Sequence, residues 1–297
     1  MSLKKELDTV VIPVAGLGSR LLPATKVIPK EMLPILDKPI IQYVVEECIS
    51  AGFKNVILIT HSSKNSIENH FDTSFELESI LEKRIKKSLL KEIKLLSRLK
   101  VNIVSIRQSE AIGLGHAILQ AKNVIGKKPF GVVLPDRVMN QYSCNLKKDN
   151  LAEMKKKYSE IKKSLILLEK VSKKDVSKFG IATLGKKHSS HNFKEILDIV
   201  EKPNSHNIPS NMAVVGRYIF EPEIFNHIKN KQNSKKEIEL TDAVKSFIDS
   251  GEKIYASFLK GECFDCGSKE GYFRSILKTG LNRPEFKREA KKLLKGL

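Results

Sequence analysis

Apolar and polar residues follow one another in blocks that predict alternating strands and helices. Residues 8–15 (DTVVIPVA) and 55–60 (NVILIT) are short apolar runs rich in β-branched residues, which is typical of strands buried on both faces. Between them, the apolar residues of 40–49 recur at helical spacing, and Gly52 follows where a helix would end. This strand–helix–strand unit predicts a parallel sheet with a right-handed crossover.

The same alternation continues to the end of the chain. Further strands are predicted near 101–106, 130–135, 164–169, 179–184, 194–200, 212–219 and 253–259, and further helices near 115–123, 145–163, 221–229, 240–250, 268–280 and 284–295. Leu and Ile recur about every fourth position over 76–99, which predicts a long amphipathic helix or a helical pair. We expect an α/β protein with one main domain over 1–280, a helical insertion at about 72–99 and a helical tail over 281–297.

Composition narrows the class of protein. A chain of 297 residues, 41% of them hydrophobic, is long and apolar enough to bury a large core. Residues 1–10 lack the apolar stretch of a signal peptide, and no apolar run reaches the roughly 18 residues that span a bilayer. We therefore expect a cytoplasmic protein with no membrane partner. Its four cysteines are expected to be reduced, and the single CxxC of Cys263 and Cys266 cannot supply a four-ligand zinc site.

The formal net charge of +19 admits nucleic acid, a membrane surface or anionic small molecules as partners. Proteins that read bases commonly use Arg and aromatic side chains, whereas this chain has no Trp and its positive charge comes mainly from Lys. The Lys clusters fall in helix-like stretches that also carry Glu, which is typical of solvated helix faces. We expect attraction of phosphorylated substrates and no nucleic-acid partner.

The segment 14–34 (VAGLGSRLLPATKVIPKEMLP) follows the first predicted strand, where ligands of open α/β sheets gather. Gly16 and Gly18 allow the backbone to approach an anion and to direct N–H groups towards it. Arg20 and Lys30 add positive charge, since a guanidinium group can bind two phosphate oxygens and an ammonium group acts as a point charge. The segment predicts a loop that binds a triphosphate.

Two other phosphate-binding motifs are excluded. A dinucleotide-binding G-x-G-x-x-G would require glycine at position 21, where Leu21 stands. Residues 180–187 (GIATLGKK) nearly match the Walker motif, but Lys187 replaces the hydroxyl residue that binds magnesium, and we interpret the match as chance.

The motif G-x-G-x-R, followed by P-x-x-K-x-x-P-K-x-M-L-P, resembles the sugar-nucleotidyltransferase family, and LLPATKVIPKEMLPILDKPIIQY is similar to its uridylyltransferases. Further family motifs recur in the same order at 107–116 (RQSEAIGLGH), 132–136 (VVLPD), 178–181 (KFGI), 200–203 (VEKP) and 264–272 (FDCGSKEGY). The resemblance covers nearly the whole chain. It implies a Rossmann-like nucleotidyltransferase fold, with a mixed, mostly parallel central sheet flanked by helices.

The resemblance also implies which residues bind the substrates. Those expected to bind the nucleotide are Ala15, Gly16, Gly18, Ser19, Glu31, Gln108 and Gly113, and those expected at the sugar phosphate are Gly180, Glu201, Lys202 and Gly267. The amide of Gln108 offers a donor and an acceptor, as the edge of a pyrimidine base requires. His116 is expected to be structural, and Thr241 is expected to cap a helix.

By the same resemblance, Asp136 and Asp265 are ligands of Mg²⁺. Asp136 ends a predicted buried strand, where a carboxylate is costly unless it is paired or holds a metal. The family usually has a small or apolar residue after this Asp. Arg137 stands there instead, and we expect its side chain to point to solvent.

The implied reaction transfers the uridylyl group of UTP to glucose 1-phosphate and yields UDP-glucose and pyrophosphate. Arg20 and Lys30 are expected to stabilise the leaving pyrophosphate, and Lys202 to align the attacking sugar phosphate. Two alternatives stay open, a thymidylyltransferase that acts on glucose 1-phosphate and a non-catalytic nucleotide-binding regulator. The stretch 72–97 resembles an insertion of the uridylyltransferases and favours the first reaction. The family resemblance further implies a homo-oligomer, either a dimer or a tetramer.

Overall fold

A nine-stranded sheet lies at the centre of the computed structural model, which describes residues 6–83, 101–110, 112–187, 193–204, 208–231 and 237–295. The strands, including those of two small two-stranded ladders, are β1 (Thr9–Pro13), β2 (Pro34–Ile35), β3 (Lys38–Pro39), β4 (Asn55–Thr60), β5 (Asn102–Arg107), β6 (Phe130–Val133), β7 (Arg137–Met139), β8 (Ser164–Lys170), β9 (Gly180–Lys187), β10 (Lys194–Glu201), β11 (Met212–Phe220), β12 (Ile254–Phe258) and β13 (Cys263–Asp265).

The order of the large sheet is β5–β4–β1–β6–β11–β8–β12–β10–β9. Parallel pairs join β5 to β4, β4 to β1, β1 to β6 and β8 to β12, while β10 and β11 run antiparallel to their neighbours. The sheet is therefore mixed and mostly parallel in strand direction, as predicted. Two-stranded ladders pair β7 with β13 and β2 with β3.

Helices cover both faces of the sheet. They are α1 (Ile40–Ser50), α2 (Asn65–Phe71), α3 (Phe75–Lys83), α4 (Leu114–Leu119), α5 (Lys122–Ile125), α6 (Leu151–Ile161), α7 (Ile224–Lys231), α8 (Leu240–Asp249), α9 (Lys269–Asn282) and α10 (Pro284–Lys295). Because side chains alternate along a strand, Val10 and Ile12 of β1 pack with α1 and α6 on one face, and Val11 packs with α4, α7 and α8 on the other. The two cores explain why the central strands are apolar throughout.

The predicted order of strands and helices agrees with the structure for the long elements. The near-Walker stretch is β9 rather than a phosphate loop. The predicted helix over 76–99 begins in α3, and its part beyond Lys83 lies outside the described residues. Neither small ladder was expected from the sequence, and α2 was not expected either. Within the described ranges, no helix combines the length and hydropathy of a bilayer span.

The cysteines are all free thiols, and Cys48 and Cys266 are buried. Burial raises the pKa of Cys263 to about 11 and that of Cys266 to about 12. Both thiols of the CxxC therefore stay protonated at neutral pH, and neither is activated as a nucleophile.

Candidate active site

The glycine segment leaves the carboxyl end of β1 and forms a turn beside the sheet. The chain runs through Gly16 and Gly18 into a 3-10 helix at Ser19–Leu21. Gly18 has φ +70°, a left-handed conformation that glycine adopts without strain, and the Thr25 hydroxyl donates to its carbonyl at 2.7 Å. The turn borders a cavity of about 380 Å³, called here the turn cavity, whose lining includes Ala15, Gly16, Gly18, Ser19, Lys30, Gln108, Gly113 and Asp136.

A buried ion pair between Lys64 and Glu31 contacts the backbone of this turn. Lys64, which follows the carboxyl end of β4, donates from Nζ to the Gly16 carbonyl at 2.6 Å and to Oε2 of Glu31 at 2.7 Å. Glu31 is completely buried, and its Oε1 has no hydrogen-bond partner among the described residues. Burial raises the pKa of Glu31, against the attraction of Lys64 and Lys30. Glu31 is not among the residues that line the turn cavity, and its expected part in nucleotide binding stays a prediction.

Gln108 is one of the residues that line the turn cavity. Gln108 directly follows β5, and its backbone N–H donates to the Thr60 carbonyl at 2.8 Å. Its Nε2 lies 2.9 Å from Nδ1 of His116, whose Nε2 lies 2.9 Å from the Gln120 amide. Buried His116 thus fixes the orientation of Gln108, which supports the structural role expected for the histidine.

The short β7–β13 ladder brings the two predicted metal ligands together. Asp136 precedes β7 and Asp265 ends β13, and the Cys266 N–H donates to the Asp136 carbonyl at 2.8 Å. A methyl group on Gly267 would lie 2.8 Å from Oδ2 of Asp136 and 3.2 Å from Oδ1 of Asp265. Both carboxylates therefore face one small space, and only glycine at position 267 leaves that space open.

Lys30 is the immediate partner of Asp136. Its Nζ lies 2.6 Å from Oδ2 of Asp136. Burial opposes the charge of both groups, but their mutual attraction outweighs it, so the pKa of Lys30 is held above its usual value and that of Asp136 below. Arg20 adds a further positive charge near Lys30 and has no hydrogen-bond or ion-pair partner within the described part of the chain.

The donor set here suits a hard cation. Two carboxylates from different strands face a shared space, and oxygen ligands of this kind are those that Mg²⁺ prefers, with water and substrate oxygens completing its shell. Among the described residues, no group of three or more His, Cys, Asp or Glu side chains has the arrangement of a metal site. The assignment of Asp136 and Asp265 to Mg²⁺ stays a prediction, which the geometry of the two facing carboxylates supports.

Arg217 of β11 anchors the backbone around Asp136. Its guanidinium is completely buried and forms a bidentate ion pair with Glu47 of α1. Nε lies 3.0 Å from Oε1 and Nη2 lies 2.7 Å from Oε2. The same group donates to the carbonyls of Leu134 and Arg137 at 3.3 Å and 2.6 Å. These bonds fix the chain on both sides of the Asp136 carboxylate.

Arg137 does not point to solvent, contrary to the sequence-based expectation. Its side chain is buried and forms an ion pair with Glu169 of β8. Its Cζ lies 5.4 Å from the centre of the Phe179 ring, a cation–π distance. The physical reason is the β7–β13 ladder, in which Arg137 pairs with Asp265 and its side chain is directed inwards.

A second cavity adjoins Asp136 and is called here the ladder cavity. Its lining includes Arg20, Asp136, Arg137, Phe179, Gly180, Glu201, Lys202, Thr241 and Asp265. Both oxygens of Glu201 are held, since Lys202 Nζ lies 3.2 Å from Oε1 and the Thr241 hydroxyl donates to Oε2 at 2.9 Å. Thr241 is therefore not the N-cap of α8, because Glu239 takes that position and the Thr241 side chain turns into the cavity.

Lys202 has an uncommon backbone conformation for a residue other than glycine. Its φ is +43°, and its N–H donates to the Phe179 carbonyl at 3.0 Å. Such conformations cluster at functional sites, where the surroundings hold them in place. The turn leaves the Lys202 side chain half-exposed at the mouth of the ladder cavity.

The structure thus brings together the residues that the sequence motifs single out. The turn cavity and the ladder cavity share Asp136, so the glycine turn and the Glu201–Lys202 pair open onto one carboxylate site. Gly267 lies next to both carboxylates, and Glu31 is linked to the glycine turn through Lys64.

Comparison with known proteins agrees with this geometry. The profile of the nucleotidyl transferase family matches residues 9–280. This chain belongs to the nucleotidyl transferase family.

Its relatives match over almost their full length. The chain is 46% identical over 290 residues to a protein of Haemophilus ducreyi named UTP--glucose-1-phosphate uridylyltransferase, covering 97% of this chain and 98% of that protein. A solved structure described as UTP-bound UGPase from Acinetobacter baumannii has a TM-score of 0.89 at 40% identity and covers 98% of this chain and 99% of that one. A UDP-glucose pyrophosphorylase complexed with UDP-glucose has a TM-score of 0.82 at 38% identity, with coverages of 93% and 100%.

Several supporting residues of this nucleotidyl transferase escaped the sequence analysis. They are Lys64, Glu169, Arg217 and the cavity-lining face of Thr241. A signal existed for Lys64, because it follows the carboxyl end of the strand next to β1, at the edge where ligands bind. Glu169 and Arg217 lie within strands whose sequence pattern is typical of an ordinary sheet. Their ion pairs could therefore be recognised only from the structure.

Proposed function

We propose that this nucleotidyl transferase transfers the uridylyl group of UTP to glucose 1-phosphate and releases pyrophosphate. The observation that carries the proposal is the junction of the two cavities at Asp136. One cavity combines a glycine turn with the buried amide of Gln108, and the other combines Gly180, Glu201 and Lys202. A nucleotide in the first and a sugar phosphate in the second would meet at the carboxylates.

The nucleotide side of the site suits a pyrimidine triphosphate. The Gln108 amide, held by His116, can donate to and accept from a uracil edge. The glycine turn offers backbone N–H groups to the phosphates, and Arg20 and Lys30 offer positive charge close to it. The names of the relatives support UTP over other triphosphates.

The sugar side suits a hexose 1-phosphate. Glu201 is held by Thr241 and Lys202 and presents a fixed acceptor to sugar hydroxyl groups. A methyl group on Gly180 would approach Oε2 of Glu201 to 3.1 Å, so glycine keeps room beside that acceptor. Lys202 supplies the charge that neutralises the sugar's phosphate, and the name of one structural relative's complex, UDP-glucose, supports glucose as the sugar.

The chemistry needs no strong general base, because a phosphate monoester with a second pKa near 6 is largely ionised at neutral pH. An oxygen of the sugar phosphate attacks the α-phosphorus of UTP in line, and the bond from that phosphorus to the β-phosphate bridging oxygen breaks. The main barrier is repulsion between two anions, so positioning and charge neutralisation dominate. Magnesium held by Asp136 and Asp265 would supply a Lewis acid for the phosphate oxygens.

The chain's own cations have separate tasks in this scheme. Lys202 holds the attacking phosphate at the mouth of the ladder cavity. Arg20 and Lys30 stabilise the negative charge that develops on the leaving pyrophosphate. Lys30 can move from Asp136 to phosphate oxygens without leaving the turn cavity, because it lines that cavity next to the carboxylate.

The experiment that tests the proposal is pyrophosphate release by the purified protein with Mg²⁺ and each of UTP, dTTP, ATP, CTP and GTP, with and without glucose 1-phosphate. We expect release only when a sugar phosphate is present, and fastest with UTP. Faster turnover with dTTP would favour thymidylyl transfer, and no turnover with any pair would favour the non-catalytic regulator. The proposal further includes a cytoplasmic location and a homo-oligomeric state.

A further inference from the structure

Arg137 is a buried cation with an incomplete set of partners. It is 7% exposed, and one terminal nitrogen donates to Glu169. Its Nε is buried and has no hydrogen-bond partner among the described residues. A buried charged donor without an acceptor is costly, so the arrangement indicates an acceptor that arrives with a ligand.

The position of Arg137 identifies the side from which that acceptor would come. The guanidinium lies against the ring of Phe179, whose carbonyl accepts the N–H of Lys202. Arg137 lines the ladder cavity together with Lys202 and Arg20, and it also lines an outer cavity of about 610 Å³ that includes Lys178. It is not among the residues that line the turn cavity. The ladder cavity is lined by four basic and four acidic residues, and it forms the sugar side of the site.

We propose that Arg137 is a direct ligand of the phosphate group of the sugar 1-phosphate, to which its Nε donates a charge-assisted hydrogen bond. The inference rests on the proposed function and deepens it. Guanidinium is suited to phosphate because its N–H groups are fixed in one plane and its charge is permanent. Glu169 and Phe179 hold that plane in place, so little side-chain freedom is lost when the substrate binds.

The role of Arg137 differs from that of Lys202. Lys202 is half-exposed on a strained turn and can follow the substrate as a mobile point charge. Arg137 is buried and clamped, so it defines where the phosphate sits relative to Asp136, its neighbour in the chain. Together they would neutralise the two negative charges of the nucleophile before it approaches the triphosphate.

The test compares Arg137→Met and Arg137→Lys with wild type, and uses Arg274→Met as the matched control. Arg274 lines the outer cavity as well, but it is exposed and paired with Glu270, so its loss removes the same charge without the proposed contact. Loss of one charge-assisted hydrogen bond predicts a rise of about tenfold to a hundredfold in KM for glucose 1-phosphate in Arg137→Met. KM for UTP and, in the reverse direction, for pyrophosphate should change less than threefold, and Arg137→Lys should recover part of the loss.

Three results would overturn the inference. KM for glucose 1-phosphate in Arg137→Met could stay at the wild-type value, KM for pyrophosphate could rise as much as that for the sugar phosphate, or Arg274→Met could show the same defect. If Arg137→Met does not fold, Arg137→Lys carries the test, because it keeps a cation but lacks Nε. Calorimetric binding of glucose 1-phosphate to wild type and variants reports on Arg137 even if no uridylyl transfer is detected, which separates failure of this inference from failure of the proposed function.

Discussion

The ammonium group of Lys30 lies 2.6 Å from Oδ2 of Asp136, although 106 positions separate the two residues in the chain. This contact joins the glycine segment to the carboxylate that follows β6. It keeps a partly buried carboxylate ionised, and it holds Lys30 in the lining of the turn cavity.

Replacing Asp136 with Asn removes the charge and keeps the size of the side chain. We expect a folded protein whose kcat for pyrophosphate release falls by about a hundredfold or more, since each 1.36 kcal/mol of lost transition-state stabilisation costs a factor of ten. Asp198→Asn, which removes an exposed carboxylate paired with Lys245, is the matched control and should keep wild-type kcat. Near-normal turnover in Asp136→Asn would contradict the metal assignment.

The same variant has a pH signature in stability. Because Lys30 holds the pKa of Asp136 below its usual value against the effect of burial, ionised Asp136 stabilises the fold at neutral pH. That contribution is present above the unfolded pKa of about 3.9 and is lost as pH falls through the folded pKa. Urea unfolding should therefore show wild type to be more stable than Asp136→Asn at pH 7, with the difference shrinking below pH 4. A difference that grows towards low pH would argue against the pair.

Gly267→Ala tests the shared space of the carboxylates. The added methyl would lie 2.8 Å from Oδ2 of Asp136, so at least one carboxylate must move. We expect kcat to fall by about tenfold or more, with an apparent Mg²⁺ requirement shifted to higher concentration. Gly280→Ala is the control, because its methyl would meet only Leu36 at 3.9 Å and alanine favours a helix interior. Equal activity of the two variants would refute the crowding argument.

Lys64→Met leaves Glu31 buried without its cation. Breaking a buried pair costs about 3–5 kcal/mol of unfolding free energy, and combining it with Glu31→Gln should recover part of that loss. Lys54→Met is the control, since the exposed Lys54–Glu6 pair contributes at most about 1 kcal/mol. Chemical denaturation measures all four proteins. A Lys64→Met protein as stable as Lys54→Met would show that the buried pair does not support the glycine turn.

Lys202→Ala should weaken use of the sugar phosphate far more than use of UTP. Loss of a charge-assisted contact predicts a rise of about tenfold to a hundredfold in KM for glucose 1-phosphate. Lys178→Ala is the control, because Lys178 lines the same cavity but is exposed and paired with Asp175. Initial-rate kinetics with each substrate varied in turn measures both effects. Equal losses on the two substrates would place Lys202 elsewhere in the reaction.

Most of the large sheet follows from the sequence, because β1, β4 and β8 contain unbroken apolar runs, and such runs are typical of strands buried on both faces. The β7–β13 ladder does not follow, because each strand has only three residues and the pairing spans a long stretch of chain. Its absence from the prediction explains why Arg137 was expected in solvent. A side chain directed inwards by a ladder gives no periodic signal in so short a strand.

The candidate site, like the fold, could be predicted from the sequence only in part. The glycine turn follows from residues that are adjacent in sequence, and the pairing of the two carboxylates was implied by the family resemblance. The supports Lys64 and Arg217 act on backbone carbonyls, and Arg217 also pairs with Glu47 at a separation of 170 positions. Such pairs depend on which buried charges the fold brings together. The local sequence pattern contains no information about that long-range pairing.

The central claim is that the glycine turn and the two carboxylates serve one nucleotide and one metal ion. A crystal structure with Mg²⁺ and a non-hydrolysable UTP analogue tests it most directly. We predict phosphates against Gly16–Arg20 and one magnesium ion bound by both Asp136 and Asp265 at about 2.0–2.1 Å. A nucleotide bound away from the turn, or a metal held by phosphates alone while the two carboxylates face elsewhere, would contradict the account.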